Sequence, residues 1–429
     1  MSIASLKQPL AIEYSLQSID NPPFFYYNND IKVKEVAVKI MIKYPENVSK
    51  IAKILSDNGY KAYAVGGCIR DALMGKIPAD WDMTTDCPPS KMLEIFEKAG
   101  LRTIPTGLKH GTVTILIENE TYECTTFRID GSYTDSRHPD SVTFTPELSE
   151  DLRRRDFTVN AMAGDPLSGN EITDIFGGRN DIENKIIRAV GDPEKRFTED
   201  ALRILRAVRF ATTLAFSIEN DTKEAARSLG NRLNEVSAER KAVELKKILL
   251  SKNADRGISL LIELDLAKYI HPSISLPKVS ISSLPESFST RLASLFYGVP
   301  NLSVMKLSNE VTSQVKLLCD DNIYNEIIAL DEQTDVKARL MLSKYGELAI
   351  DAALLRENQE LSNAIFAEKE KNPCVKISDL AVSGNDLISI GITPRSIGGI
   401  MQKLLSLVIK TPSINEKSKL LSIVADINK

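Results

Sequence analysis

The sequence has 429 residues, of which 43% are hydrophobic and 26% are charged, and its formal net charge is −4. A chain of this length is expected to fold as two to four domains or subdomains. It contains no run of about 18 uncharged apolar residues, so no membrane span is predicted, and its first residues lack the pattern of a signal peptide. Five widely spaced cysteines without a Cys-x-x-Cys pair argue against a zinc site and favour the reducing cytoplasm.

The first 39 residues are polar and irregular, and we interpret them as an extension of unassigned role. From about position 45, apolar residues recur at helical spacing and predict a helix that stops near Gly59. Residues 62–65 predict a short buried strand, which runs into Gly66-Gly67 before a helix that begins near Cys68.

Three further strands are predicted over residues 79–85, 111–117 and 121–128, and the last two should pair antiparallel across a turn at 118–120. After about residue 150 the pattern is mainly helical to the end of the sequence. These elements predict an α+β fold, in which a small head with a mixed sheet is followed by a long helical body.

The strand at 62–65 leads into a pattern that is typical of a phosphate-binding turn. Gly66 and Gly67 allow a backbone to come close to a bulky anion, and the start of the next helix presents unpaired N–H groups. Arg70 lies one turn into that helix, where its forked guanidinium can reach a phosphate. No Gly-Lys-Ser/Thr follows, so this is not a Walker loop.

Two carboxylates follow this turn. Asp80 and Asp82 are two apart on the strand predicted at 79–85, so both should point to one face, and Trp81 should point into the core from the other. Adjacent carboxylates repel each other unless a cation lies between them, and oxygen ligands suit Mg²⁺. We therefore predict Asp80 and Asp82 as metal ligands and catalytic residues, with Glu123 as the candidate third carboxylate of a two-metal site. The alternatives are a solvated strand edge for the aspartates and an exposed strand position for Glu123.

A helix is predicted from Thr198, the candidate N-cap, to about residue 210. An arginine recurs at every third position, roughly along one helix face: Arg203, Arg206 and Arg209. Such a row is usually a solvated charged face, but beside a phosphate-binding turn it can face a nucleotide. Asp200 and Arg203 together offer acceptors and donors that can pair with the base-pairing edge of a cytosine or an adenine. The acidic net charge is compatible with RNA binding through a local basic groove.

Five stretches of the sequence, in order, resemble motifs A to E of the class II tRNA nucleotidyltransferases, the CCA-adding enzymes, which share a polymerase-β-like head with bacterial poly(A) polymerases. The matching stretches are Gly66-Gly67-Cys68-Ile69-Arg70-Asp71 with Asp80-Trp81-Asp82-Met83-Thr84-Thr85, Arg154-Arg155-Asp156-Phe157-Thr158-Val159-Asn160-Ala161, Asp174-Ile175-Phe176-Gly177-Gly178-Arg179-Asn180-Asp181, Glu199-Asp200-Ala201-Leu202-Arg203, and Ser237-Ala238-Glu239-Arg240 leading into Glu244-Leu245. Weaker similarity continues through residues 383–387 and 397–398, and the first 40 or so residues fall outside it.

The resemblance implies roles for several of these residues. Asp200 and Arg203 would act as an amino-acid template for the incoming base, and Arg206 and Arg209 would face the triphosphate or help to position the base. Arg155 would contact the nucleotide. Asp156 would help to recognise the ribose hydroxyl, although a basic patch at a helix start is the alternative interpretation of this stretch.

The resemblance also implies the fold and the reaction. We expect a polymerase-β-like nucleotidyltransferase head with a small mixed sheet, then an all-helical neck, body and tail, with these boundaries: 1–39 extension, 40–175 head, 176–270 neck carrying the nucleobase-recognition helix, and 271–429 body and tail binding tRNA. The implied activity is template-independent addition of C, C and A to the 3′ end of tRNA from CTP and ATP, with Mg²⁺ as the cofactor.

Two relatives of this activity remain alternatives, namely a poly(A) polymerase and an enzyme that adds only CC. Residues 105–112 resemble the CCA-adding version of that strand region. The long polar loop at 130–140 resembles the flexible loop that CC-only enzymes lack, unless it is a mobile surface connection. A catalytically silent RNA-binding protein with the same fold would be expected to lack the carboxylate pair.

Overall fold

The computed structural model describes residues 42–131, 141–168 and 171–427. The extension at 1–39 and most of the loop at 130–140 therefore lie outside the described residues. The chain divides into two compact units, one up to Val236 and one from Ser237 onward, and each is described by itself. The boundaries predicted after residues 175 and 270 stay predictions. None of the described helices combines the length and the apolar composition needed to cross a lipid bilayer.

Eleven strands lie within the described residues, all of them in the first unit: β1 Ala62–Val65, β2 Met83–Thr85, β3 Arg102–Gly107, β4 Thr112–Ile117, β5 Glu120–Thr126, β6 Arg128–Asp130, β7 Val142–Phe144, β8 Met162–Gly164, β9 Ile172–Asp174, β10 Ile186–Ile187 and β11 Ser217–Ile218. Seven of these form one sheet in the order β3-β4-β5-β2-β1-β8-β9. The β2–β5 pair is parallel and its neighbours are antiparallel, so the mixed sheet is confirmed.

The helices of the first unit are α1 Glu46–Asp57, α2 Gly67–Leu73, α3 Pro89–Lys98, α4 Leu148–Arg153, α5 Gly178–Glu183, α6 Pro193–Glu199, α7 Leu202–Leu214 and α8 Asn220–Ser228. The apolar stripe of α1 is buried as its spacing predicts, with Val48, Ile51, Ala52 and Leu55 in the core. Helices α1 and α3 cover one face of the sheet, whose inward residues include Met83 and Cys124. Trp81 packs partly buried on this side, 5.5 Å from Tyr44 between ring centroids.

The opposite face of the sheet packs against α4 and carries polar side chains. Val65 and Ala163 pack there against Leu152 of α4 in a small separate cluster. Because successive strand residues alternate between faces, Thr84 lies on this second face, between Met83 and Thr85. A hydrogen bond of 3.2 Å from Thr84 Oγ1 to Asp151 of α4 ties the strand to that helix.

In the second unit, every described regular element is helical: α9 Ala238–Leu249, α10 Ala254–Glu263, α11 Phe288–Ala293, α12 Asn309–Leu318, α13 Asp321–Ile328, α14 Thr334–Tyr345, α15 Ala349–Leu354, α16 Gln359–Glu370, α17 Gly384–Ser389, α18 Pro394–Lys410 and α19 Lys417–Ile427, with short 3₁₀ turns between them. A terminal core joins α18 and α19 through Leu404, Val408, Leu420 and Val424. The predicted helical body is confirmed.

Two predicted elements are wrong in their bounds. The strand predicted at 79–85 is only β2, so Asp80 and Asp82 precede it. Val65 N donates to Asp82 O at 2.9 Å, but β1 then turns away at Gly66, and the residues before Asp82 lose their antiparallel partner. The helix predicted from Thr198 is two helices, and Thr198 lies inside α6 rather than at an N-cap.

Candidate active site

The turn between β1 and α2 is built on Gly66. Its φ of +82° lies in the left-handed region, where a side chain is strained. A Cβ at Gly66 would also lie 3.0 Å from Arg155 Nη1, so the guanidinium of Arg155 rests directly against the turn. The Gly66 and Gly67 pair therefore allows an arginine and a backbone to approach each other closely, as a phosphate-binding turn requires.

Arg70 is buried, with 8% of its surface exposed. Its Nη1 donates to Asn160 Oδ1 at 2.6 Å, its Nε donates to Asp71, and its guanidinium lies 5.3 Å from the centroid of the Phe210 ring. These contacts tie α2 to the 158–160 turn and to α7. A direct contact between Arg70 and a phosphate stays a prediction.

The predicted carboxylates come together where the chain enters β2, beside the middle of β5. Met83 pairs with Cys124 in parallel register, which places Asp82 beside Glu123, one position earlier on each strand. Both residues are exposed. Glu123 is thus a strand residue beside the aspartates, and the structure brings the third candidate to the pair.

Electrostatics support this neighbourhood. Burial, and then the negative charges of Asp80 and Glu123, raise the pKa of Asp82 to about 6, while Arg155 opposes the rise. Carboxylates that repel each other at this distance are the arrangement that a bound cation relieves.

The carboxylates of Asp80, Asp82 and Glu123 fit a divalent metal ion that is held jointly by the protein and the nucleotide. Within the described residues, no three His, Cys, Asp or Glu side chains converge closely enough to form a complete metal site. Mg²⁺ typically uses one or two carboxylates together with substrate phosphates and waters. Asp80 and Asp82 can supply the protein ligands of such a site, with Glu123 alongside.

Asp156 is buried and holds Arg206. Its Oδ2 accepts from Arg206 Nε at 2.8 Å and Nη2 at 2.6 Å, and its Oδ1 accepts from Asn160 and the Phe157 N–H. Burial alone would raise the pKa of Asp156, but Arg206 and Asn160 lower it to about 2. Asp156 therefore positions an arginine of the row, and its ribose contact stays a prediction.

Asp156→Ala should destabilise the first unit by about 3 kcal/mol, because removing one partner leaves a largely desolvated charge behind. Trp81, the single tryptophan of the sequence, lies in this unit, so its fluorescence during urea unfolding measures the loss. The folded state depresses the Asp156 pKa, so the charge pair stabilises fully above about pH 4 and is lost as the pH falls toward 2. The wild type minus variant difference should therefore be constant from pH 6 to 8.

A surface pair provides the control for that experiment. Glu224→Gln removes an exposed partner of Arg227 and should change the unfolding midpoint little. Equal midpoints for Asp156→Ala and the wild type would contradict the role of the buried pair.

The predicted base-reading residues flank the break between α6 and α7. Asp200 Oδ1 accepts from the Leu202 N–H at 3.0 Å and so caps the start of α7. Arg203 is buried, and it donates to Glu199 at 2.8 Å and to the carbonyl of Arg154 at 2.9 Å. The solvated-face alternative is therefore wrong for Arg203, since it is held on both sides by protein groups.

Three residues to which the sequence analysis assigned no role also belong to the site. Glu199 fixes Arg203, and Asn160 joins Arg70 to Asp156. Phe210 has three guanidiniums around its ring, at 5.3, 5.3 and 3.7 Å from the centroid, those of Arg70, Arg206 and Arg209. In the sequence, Phe210 looks like any other apolar residue on the buried side of the helix. No local pattern indicates that three guanidiniums surround its ring.

The polar loop predicted at 130–140 lies largely outside the described residues, but its two ends are defined. Strands β6 and β7 pair antiparallel, and Gly131 N donates to Ser141 O at 2.9 Å. Arg128 and Arg154 both approach Asp130 at the base of the loop, with nitrogen to oxygen distances of 3.1 and 3.6 Å.

A mixed sheet that carries a glycine turn beside paired carboxylates, with a helical unit after it, defines a nucleotidyltransferase of the poly(A) polymerase class. The family model described as the Poly A polymerase head domain matches residues 62–188. A second model, described as the probable RNA and SrmB-binding site of polymerase A, matches residues 215–276.

The CCA-adding enzyme of Lactobacillus helveticus is 34% identical over 399 residues, covering 89% of this chain and 94% of that protein. The CCA-adding enzyme of Bacillus subtilis is 34% identical over 80% of this chain and 88% of its own length. The crystal structure of the Bacillus stearothermophilus CCA-adding enzyme in complex with CTP has a TM-score of 0.72 and 30% identity, covering 89% of this chain and 96% of that one. This chain belongs to the family of CCA-adding enzymes.

Proposed function

We propose that this protein adds C, C and A to the 3′ end of tRNA, using CTP and ATP and releasing pyrophosphate. The observation that carries the proposal is the juxtaposition of three parts in the first unit. The carboxylates of Asp80 and Glu123 lie close enough to Asp82 to raise its pKa, Arg155 rests against the Gly66 turn, and Arg203 pairs with Glu199 at 2.8 Å.

The first step is binding of the nucleoside triphosphate. The Gly66-Gly67 turn gives the phosphates close access to the backbone, and Arg155 supplies a positive charge at the same place. Arg206 and Arg209 add charge from α7, with their guanidiniums against Phe210. Positive groups fixed before the reaction stabilise the developing charge on pyrophosphate without reorganisation.

Asp80 and Asp82 are the proposed ligands of Mg²⁺, with Glu123 as the third carboxylate. The bound metal would lower the pKa of the RNA 3′-hydroxyl and stabilise charge on the reacting phosphate. The α-phosphate is the centre that this hydroxyl attacks. The side chains serve to orient both reactants, and no protein nucleophile takes part.

Base selection is assigned to Asp200 and Arg203. The break between α6 and α7 presents both residues at one helix start, and Glu199 together with the Arg154 carbonyl restricts the guanidinium of Arg203. A fixed donor and acceptor pair can match the edges of cytosine and adenine while leaving guanine and uracil with unpaired groups.

The helical unit from Ser237 onward is proposed to bind tRNA through its shape and backbone, as proteins commonly bind structured RNA. A cytoplasmic location fits this substrate and the five free cysteines.

Product length on tRNA that lacks its 3′ end tests the proposal. With Mg²⁺ present, CTP alone should extend the RNA by two nucleotides, and CTP with ATP should extend it by three. No incorporation would overturn the proposal. A product that stops after two nucleotides with both substrates would favour the CC-adding alternative, and long A tails on a non-tRNA RNA with ATP alone would favour a poly(A) polymerase.

A further inference from the structure

Asp151 is a fully buried carboxylate on α4 that no motif of the sequence analysis includes. Its side chain has 0% exposure, and its two oxygens are both occupied. Oδ1 accepts from Arg154 Nε at 3.0 Å and Nη2 at 2.8 Å, and Oδ2 accepts from Thr84 Oγ1 at 3.2 Å and Arg155 Nη2 at 3.3 Å. Burial would raise its pKa, yet the charges of Arg154 and Arg155 lower it, so the group is an anion in the folded protein.

These contacts place Asp151 between two parts of the site. Thr84 belongs to β2 and lies two residues after Asp82. Its hydroxyl lies 3.2 Å from Asp151 Oδ2 and 3.1 Å from the Thr125 carbonyl, so Asp151 supplies one of the two contacts that fix this side chain. The same oxygen holds Arg155, whose guanidinium reaches the Gly66 turn. One buried carboxylate therefore contacts both the strand that follows the paired aspartates and the cation beside the glycine turn.

Arg155 depends on this contact for its position. Its Nε is buried without a hydrogen-bond partner among the described residues, and its side chain is 20% exposed. An arginine with a long flexible stem needs a fixed anion to hold it in one rotamer. Asp151 accepts a hydrogen bond from Arg155 at 3.3 Å, while Asp82 interacts with Arg155 electrostatically, so Asp151 is the buried anion that Arg155 contacts directly.

We propose that Asp151 is a positioning residue for triphosphate binding, which acts by holding Arg155 at the Gly66 turn and aligning it with β2. This role rests on the proposed function, in which CTP and ATP are the substrates. Asp151 raises the affinity for the phosphates that CTP and ATP share and does not affect base recognition by Asp200 and Arg203.

Asp151→Asn keeps the shape of the side chain and removes its charge. The Kd of CTP, of ATP and of pyrophosphate, each measured with Mg²⁺ by calorimetry, should rise by a common factor of about tenfold, the range expected for loss of a charge-assisted hydrogen bond. The ratio of the CTP and ATP constants and the Kd of tRNA should not change. A merely structural role would not act selectively on the phosphate part of the ligand.

Asp181→Asn is the matched control. Asp181 is also buried in the first unit and is also held by a threonine and an arginine, Thr158 and Arg188, at 2.7 and 3.1 Å. Its substitution should lower the stability reported by Trp81 and leave the Kd of pyrophosphate unchanged. A similar loss of pyrophosphate affinity in both variants would show a general effect of destabilisation and would overturn the proposal.

A double-mutant cycle with Arg155→Ala shows whether Asp151 acts through Arg155. In the Arg155→Ala background, Asp151→Asn should add less than about a twofold change, because coupled residues are not additive. If the fold changes in Kd of the two single variants multiply in the double variant, the residues act independently and the proposal is overturned. Should Asp151→Asn not fold, Arg155→Ala alone and Thr84→Val test the two ends of the link, and unchanged pyrophosphate affinity in both would overturn it.

These binding measurements do not depend on turnover. A wild-type protein that binds pyrophosphate but does not extend tRNA would refute the proposed function and leave the role of Asp151 standing. If the wild type extends tRNA and Asp151→Asn binds pyrophosphate as tightly as the wild type, the proposed function stands and the role of Asp151 is refuted.

Discussion

Asp80→Ala is expected to abolish nucleotide incorporation while leaving tRNA binding nearly unchanged. The negative charge of Asp80 contributes to the raised pKa of Asp82, so the two carboxylates lie close to each other. Removing one of two metal ligands takes away several kcal/mol of charge stabilisation, which corresponds to a rate loss of at least about a thousandfold. Incorporation of labelled CTP into tRNA lacking its 3′ end measures the rate, and a filter-binding titration measures the affinity for tRNA.

The same variant offers a measurement that does not depend on turnover. Trp81 stands between Asp80 and Asp82 and packs against Tyr44, so a change at the carboxylates should alter its fluorescence. Titration of the wild type with Mg²⁺ and CTP should change this signal, and Asp80→Ala should weaken the response. Asp57→Ala, which removes an exposed carboxylate on α1, is the control and should behave as the wild type. Full incorporation by Asp80→Ala would refute the metal assignment.

The second large effect is expected from Arg203→Ala. This substitution removes the donors that the Glu199 carboxylate and the Arg154 carbonyl hold in place. Discrimination against UTP and GTP should fall by at least about tenfold, because a site that pairs with a base edge loses its selectivity when the pairing groups are removed. Competition between CTP and each other nucleotide in single-turnover reactions measures the discrimination.

Glu199→Gln separates base reading from folding in that experiment. It leaves Arg203 in place but removes the charge that orients it, so discrimination should fall in the same direction and by a smaller factor. Arg203 is buried, and the Trp81 unfolding curve of each variant shows whether the first unit is intact. Unchanged discrimination in a folded Arg203→Ala protein would assign base selection to other residues.

These effects separate along the geometry of the site. The carboxylates act on the reacting phosphate, the Gly66 turn and Arg155 act on the phosphates common to both substrates, and the start of α7 acts on the base. A variant in one group should therefore change the rate, the shared nucleotide affinity, or the selectivity, but not all three in the same proportion. This separation gives each assignment its own measurement.

Local patterns predicted much of the fold. The apolar spacing of α1, the β-branched run of β4 and the turn before β5 are all short-range signals, and the structure confirms the helix, the strand and the hairpin that they predict. The strand predicted to begin at residue 79 and the N-cap predicted at Thr198 were both wrong. The strand is shorter because its partner β1 turns away at Gly66, and the helix starts later because the chain breaks between α6 and α7, where Asp200 accepts from the Leu202 N–H.

The sequence by itself determined the chemical groups: two glycines after a strand, two aspartates a short distance on, and an acid and arginine pair at the start of a helix. These signals are readable because each lies within a few consecutive residues, where backbone geometry dictates the side-chain directions. Only the tertiary structure decided which groups meet. Glu123 comes to Asp82 through the parallel β2–β5 pairing, Asp156 to Arg206 across 50 residues, and Asp151 to Thr84 across 67. Such contacts arise from sheet register and helix packing, which no local pattern encodes.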